Sequence, residues 1–172
     1  MKSGLKNTKW LICIVYGLLL LYVLFFRSIG TSYPWTYPEY LHAMHNFIPL
    51  KSVYVLLASP VISFRSIARF LINFVGNIVL FVPFGVLLPA CVRRFREFRR
   101  FAAVTIIVLV LIETIQIFSM LGSFDIEDIL LNMLGACAGF ACCKKCVVCH
   151  SFSLERGLAS AAIFLSVLSM CV

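Results

Sequence analysis

Two runs of this chain, Phe70–Val92 and Phe101–Leu121, are almost wholly apolar. Each reaches the ~20 residues that a helix needs to cross a bilayer. Unbroken hydrophobicity of that length restricts the fold more than any other feature. A backbone surrounded by hydrocarbon must satisfy its own hydrogen bonds, and only helices or closed barrels do so. Composition agrees: 62% of the 172 residues are hydrophobic, against roughly 45–50% in a soluble domain, and mean hydropathy is +1.03. A soluble core of this size cannot bury so much apolar surface, so the expected fold is an all-α integral membrane protein. The net charge of +8 does not indicate a nucleic-acid partner, because the basic residues fall between the apolar runs. Membrane topology accounts for them.

Three more apolar segments are readable: Trp10–Phe26, Ile126–Val148 and Gly157–Val172. The first follows Lys2, Lys6 and Lys9 as the core of a signal peptide would, but no A-x-A site follows it, which favours an uncleaved anchor. Lys and Arg near helix ends are retained in the cytoplasm. The three lysines, the five arginines of the Arg93–Arg100 link, and Lys144, Lys145 and Arg156 then lie inside, whereas Leu121–Asp128 carries no Lys or Arg. One arrangement satisfies all of these: a bundle of about five transmembrane helices with the N-terminus inside. It divides into a basic cytoplasmic N-terminus (1–9), a membrane domain (10–148, helices 10–26, 70–92, 101–121 and 126–148) and a C-terminal extension (149–172) holding the fifth helix.

The outer loop at 27–69 is aromatic and Pro-rich. Tyr33–Tyr40 suits an interfacial aromatic belt. Lys51–Phe64, interrupted by Pro60, is too short to span and is expected to be interfacial or re-entrant. His42 and His45 read as surface residues.

Polar side chains inside a membrane are costly and face a bundle interior or a water-filled cavity. Asn73 and Asn77 lie one turn apart on the second helix, followed by Pro83, which should kink it, and by Gly85. Glu113 and Gln116 share a face of the third helix. Asp125 and Asp128 repeat the i, i+3 spacing at the start of the fourth, with Asn132 one turn below. Glu113 should be protonated or partnered, with Gln116 or Asn77 as the donor. Capping explains one of Asp125 and Asp128 well and both poorly. Glu127 falls off this face and is expected to be solvated. Gly135-x-x-x-Gly139 is a small-residue face for close helix packing. Each of these intramembrane acids and amides falls in the outer half of the bilayer or just above it. The expected site is therefore a polar pocket, with Asn46 from the loop, that opens to the extracytoplasmic side.

Most of the eight cysteines fall toward the cytoplasmic side and the long outer loop has none, so no disulfide framework is indicated. Cys143, Cys146, Cys149 and His150 approach a zinc-ligand spacing. Lipidation of juxtamembrane thiols is another reading, and plain reduced cysteines with no metal and no cofactor are the favoured one.

Four motifs occur in order: Asn46-Phe47-Ile48-Pro49-Leu50; Gly76-Asn77 through Pro83-Phe84-Gly85; Glu113-Thr114-Ile115-Gln116; and Asp125-Ile126-Glu127-Asp128 with Asn132 and Gly135. Together, over roughly residues 10–145, they resemble the VanZ-like family of small bacterial membrane proteins. Many relatives carry Arg where this chain has Ser123. The resemblance implies a multi-pass protein of the bacterial cell membrane with an envelope role, since the founding member is associated with low-level resistance to the lipoglycopeptide teicoplanin. The partners it implies are membrane lipids and a lipid-linked cell-wall precursor or lipoglycopeptide. The alternative is a membrane enzyme acting on a lipid-linked or phosphate-bearing envelope substrate. In it Glu113 would be acid or base, and Asp125 and Asp128 would be catalytic or cation-binding. A transporter ranks last, because the inner half is nearly free of polar groups.

Overall fold

A computed structural model of the chain describes residues 2–25, 36–59 and 63–148, with side chains placed within 10–144. The elements are α1 (Lys2–Phe25), α2 (Tyr37–Ala43), β1 (His45–Asn46), α3 (Lys51–Ala58), α4 (Phe64–Cys91), a 3₁₀ turn at Arg93–Arg96, α5 (Phe98–Phe118), β2 (Phe124–Asp125) and α6 (Ile126–Val148). The all-α expectation holds. Three helices, α4, α5 and Ile126–Lys144 of α6, are long and apolar enough to cross a membrane, and Trp10–Phe25 is a shorter apolar helix. The expected fifth helix (157–172) lies outside the described residues, as do Tyr33, Pro34 and Trp35 of the aromatic segment.

Three helices differ from expectation in their bounds, and the first, α1, begins at Lys2 rather than Trp10. α4 begins at Phe64 rather than Phe70, because the Ser63 hydroxyl accepts the Ser66 N–H at 3.2 Å and caps an earlier first turn. The interfacial stretch therefore ends in α3, and Phe64 belongs to α4. α5 covers Phe98–Phe118 rather than Phe101–Leu121. It stops because Leu121 N–H bonds the Gln116 carbonyl at 3.0 Å and Met120 N–H bonds that of Ile117 at 3.3 Å. This is a Schellman closure in which Met120 takes the left-handed position (φ 56°) that glycine usually fills.

Side chains such as Leu11, Ile14, Leu18, Ile107, Leu111 and Leu134 are exposed. An apolar rim of this extent fits hydrocarbon surroundings, where helix association rests on close packing rather than on escape from water. The α4–α6 interface is the most extensive in the fold, and small residues make it so. A Cβ at Gly135 would drive into the Ile78 carbonyl, one at Gly139 into that of Val82, and one at Gly85 into that of Ala136. α4 and α6 therefore run parallel at a backbone distance that only glycine permits. Pro83 stays inside the unbroken α4. One turn away the Tyr16 hydroxyl of α1 donates to the Leu80 carbonyl at 2.8 Å.

Near the arginine link the core is aromatic: Phe101 stacks on Phe140 at 4.6 Å, with Phe81 fully buried. At the opposite end the chain is tied down by polar contacts. Tyr40, expected in an interfacial belt, is fully buried, and its hydroxyl donates to the Gly122 carbonyl. α2 is thereby pinned to the turn that follows α5.

Candidate functional site

The acidic segment Asp125–Asp128 opens α6 and draws partners from four other parts of the chain. β1 pairs in parallel with β2, setting Asn46 opposite Asp125. Asn46 first shapes its own loop: its Oδ1 accepts the Ile48 N–H at 3.1 Å, a local turn typical of Asn. Its amide nitrogen then donates to Asp125 Oδ1 at 3.0 Å. The same oxygen accepts the Glu127 N–H at 2.8 Å, so Asp125 satisfies one of the orphan donors of α6. From α5, the Glu113 carboxylate accepts the Asp125 N–H at 3.0 Å. From α4, Asn77 donates to Asp128, and Asn73, one turn earlier, lies near that carboxylate. Capping thus accounts for Asp125 and not for Asp128.

Burial pushes the Asp125 carboxyl above the usual aspartate range, opposed by the hydrogen bonds from Glu127 N–H and Asn46 and by nearby Lys51. Glu113 is 4% exposed and Asn132 is 2% exposed. Asn132 Oδ1 has no hydrogen-bond donor among the described residues.

Three expectations are corrected here. Gln116 does not join the acids; its amide donates to the Leu24 carbonyl at 2.8 Å, tying α5 to the end of α1. Glu113 is partnered neither by Gln116 nor by Asn77 but by backbone. Glu127 is not solvated. It is 2% exposed, and its Oε2 accepts the Ser52 N–H at 3.1 Å. The cause is the N-terminus of α3: its cap residue Leu50 sits left-handed and offers no side-chain oxygen, so a carboxylate from α6 takes the role at the positive end of the helix dipole. A helix start lacking Ser, Thr, Asp or Asn was the one sequence signal that such an outside acceptor was needed.

Pro49 and Leu50 form the exposed turn into α3. His42 and His45 are exposed and, with Phe47, Phe118 and Phe124, line an apolar groove of about 430 Å³ beside the acids. Among the described residues no group of three His, Cys, Asp or Glu converges to hold a metal ion. The cysteine cluster is only partly covered: Cys143 is buried, and the side chains of Cys146, Cys149 and His150 lie outside the described residues.

No curated protein and no solved structure matches this chain. Comparison with protein families matches VanZ/LLP1 across residues 13–149. That range takes in α4, α5 and α6 and every acid and amide that the fold gathers at their shared end, and the chain belongs to the VanZ-like family.

Proposed function

We propose that this protein is a multi-pass protein of the bacterial cell membrane that lowers susceptibility to lipoglycopeptides such as teicoplanin through a polar site facing the outside. The observation that carries the reading is the meeting of Asn46, Asn77, Glu113, Asp125 and Asp128 at the helix ends remote from the five-arginine link. Arginines retained in the cytoplasm put the opposite end outside, the side on which teicoplanin acts. Buried acids and amides in a lipid-embedded bundle are costly, and function is the usual reason they persist. The account has five spans and a cytoplasmic N-terminus, with the site engaging a lipid-linked envelope component or the drug itself.

The test is the teicoplanin susceptibility of a sensitive bacterial host producing the protein at matched levels. Wild type should raise the inhibitory concentration, and Asp128→Asn, which keeps size and hydrogen bonding but removes the charge, should return it to the empty-host value. Full protection by Asp128→Asn contradicts the role given to the acids.

A further inference from the structure

The eight residues of α3 fall short of the roughly 12–15 that an isolated helix needs to persist in water, so α3 keeps its shape only while docked. Little holds it there. None of its side chains is buried, whereas α2 at the same end buries Tyr40 and bonds through it to Gly122. The first intrahelical bond of α3 runs from the Tyr54 N–H to the Leu50 carbonyl at 3.0 Å, which leaves the N–H groups of Lys51, Ser52 and Val53 to outside acceptors. Glu127 supplies one of them, at Ser52. Leu50 itself enters the helix with φ 58°, a left-handed conformation disfavoured for a residue with a Cβ.

α3 also lies where it can close the polar site. It packs on α4 and is tied to α6 through Glu127, and these are the two helices whose Asn77 and Asp128 meet. α3 thus bridges the walls of the site. The tie is incomplete: Glu127 is 2% exposed, yet its Oε1 has no donor among the described residues. Docking removes water from that oxygen without replacing its hydrogen bonds, which favours release. The tie is also joined to the acids, because the Asp125 oxygen that accepts the Asn46 amide accepts the Glu127 N–H as well. On the outer side Tyr54, Val55 and Leu57 are more than half exposed, an apolar surface that keeps a lifted α3 in the membrane interface.

We infer that α3 is a lid on the polar site, hinged at Leu50 and latched by the Glu127 carboxylate on the Ser52 N–H, and that its release opens the way to Asp125 and Asp128. This rests on the polar site proposed above and adds how a ligand reaches it.

Hydrogen exchange and thiol reactivity of the full-length protein in lipid nanodiscs test this. Glu127→Ala should speed exchange over Lys51–Ala58 by about fivefold or more and leave α2 within about twofold of wild type. Glu127→Gln keeps an acceptor oxygen and should leave both helices near wild type. Ser52→Pro removes the donor at a place in the first helical turn that tolerates proline. It should match Glu127→Ala and takes its place if that variant fails to fold. With the native cysteines replaced by serine, Asp128→Cys should react with a small water-soluble methanethiosulfonate about fivefold faster or more once Glu127→Ala or Ser52→Pro is added. Faster exchange in α3 without faster reaction at position 128 makes α3 a clip rather than a lid and overturns the inference. Equal acceleration of α2 and α3, equal effects of Glu127→Gln and Glu127→Ala, or unchanged exchange in α3 overturns the latch and the inference with it. Neither readout involves teicoplanin, so each of these failures leaves the functional proposal standing. Full protection by Asp128→Asn overturns that proposal and not the lid.

Discussion

The Glu113 carboxylate accepts the backbone N–H of Asp125 at 3.0 Å, so a buried side chain of α5 fixes the residues that begin α6. Glu113→Ala leaves that N–H without an acceptor, and a buried orphan donor costs roughly 1–3 kcal/mol. Glu113→Gln keeps a carbonyl oxygen in the same place and should retain most of the stability. Thermal unfolding of the detergent-solubilised variants checks this; equal loss in both shows that the hydrogen bond is not what the position contributes.

The glycine interface makes a second test. Gly135→Ala and Gly139→Ala each place a methyl against a carbonyl of α4, and overpacking of this kind costs about 1–3 kcal/mol or more. Ala138 lies between them in sequence but is exposed, so Ala138→Leu should stay within about 0.5 kcal/mol of wild type. If all three variants unfold alike, close approach of α4 and α6 is not the source of their stability.

At the end of α5, Met120 holds a left-handed conformation with φ of 56°, which is disfavoured by roughly 1–2 kcal/mol for a residue with a Cβ. Glycine there loses more backbone entropy on folding, by about 0.5–1 kcal/mol. Met120→Gly is therefore expected to gain up to about 1 kcal/mol in an unfolding measurement, and a clear loss contradicts the strain assigned to the turn.

Much of the site was legible in the sequence because its polar residues are rare in an apolar chain and recur at helical spacing. Asn73, Asn77 and Asp128 do meet, and the two glycines of α6 do pack on α4. What the helical faces did not show was how loops return. Glu127 lies off the shared face of α6, yet α3 folds over it and supplies an N–H donor. Gln116 sits one turn from Glu113 but, at the far end of α5, meets the last carbonyls of α1. Both outcomes depend on backbone groups at helix ends; only the missing cap residue at Leu50 hinted at the first, and nothing in the sequence marked the second. The early start of α4 was marked by Ser63 and Ser66 and hidden by the two arginines that follow.

A pH test follows from Asp125. Its folded value is raised by burial, so the protonated form is favoured in the fold. Its contribution to stability is complete below the ordinary aspartate range, about 4, and is lost as pH rises through the folded value. Asn at this position keeps the cap and the oxygen that Asn46 bonds. Wild type should therefore lose stability relative to Asp125→Asn as pH rises from about 4 toward neutral, and a difference that is flat with pH contradicts the assignment.

The central claim is that the acid end faces outward, and labelling of single cysteines tests it most directly. With the native cysteines replaced by serine, Ser123→Cys at the acid end and Arg96→Cys in the arginine link are treated in intact cells with a membrane-impermeant maleimide. Ser123→Cys should label in intact cells and Arg96→Cys only after permeabilisation; the reverse pattern would contradict the account.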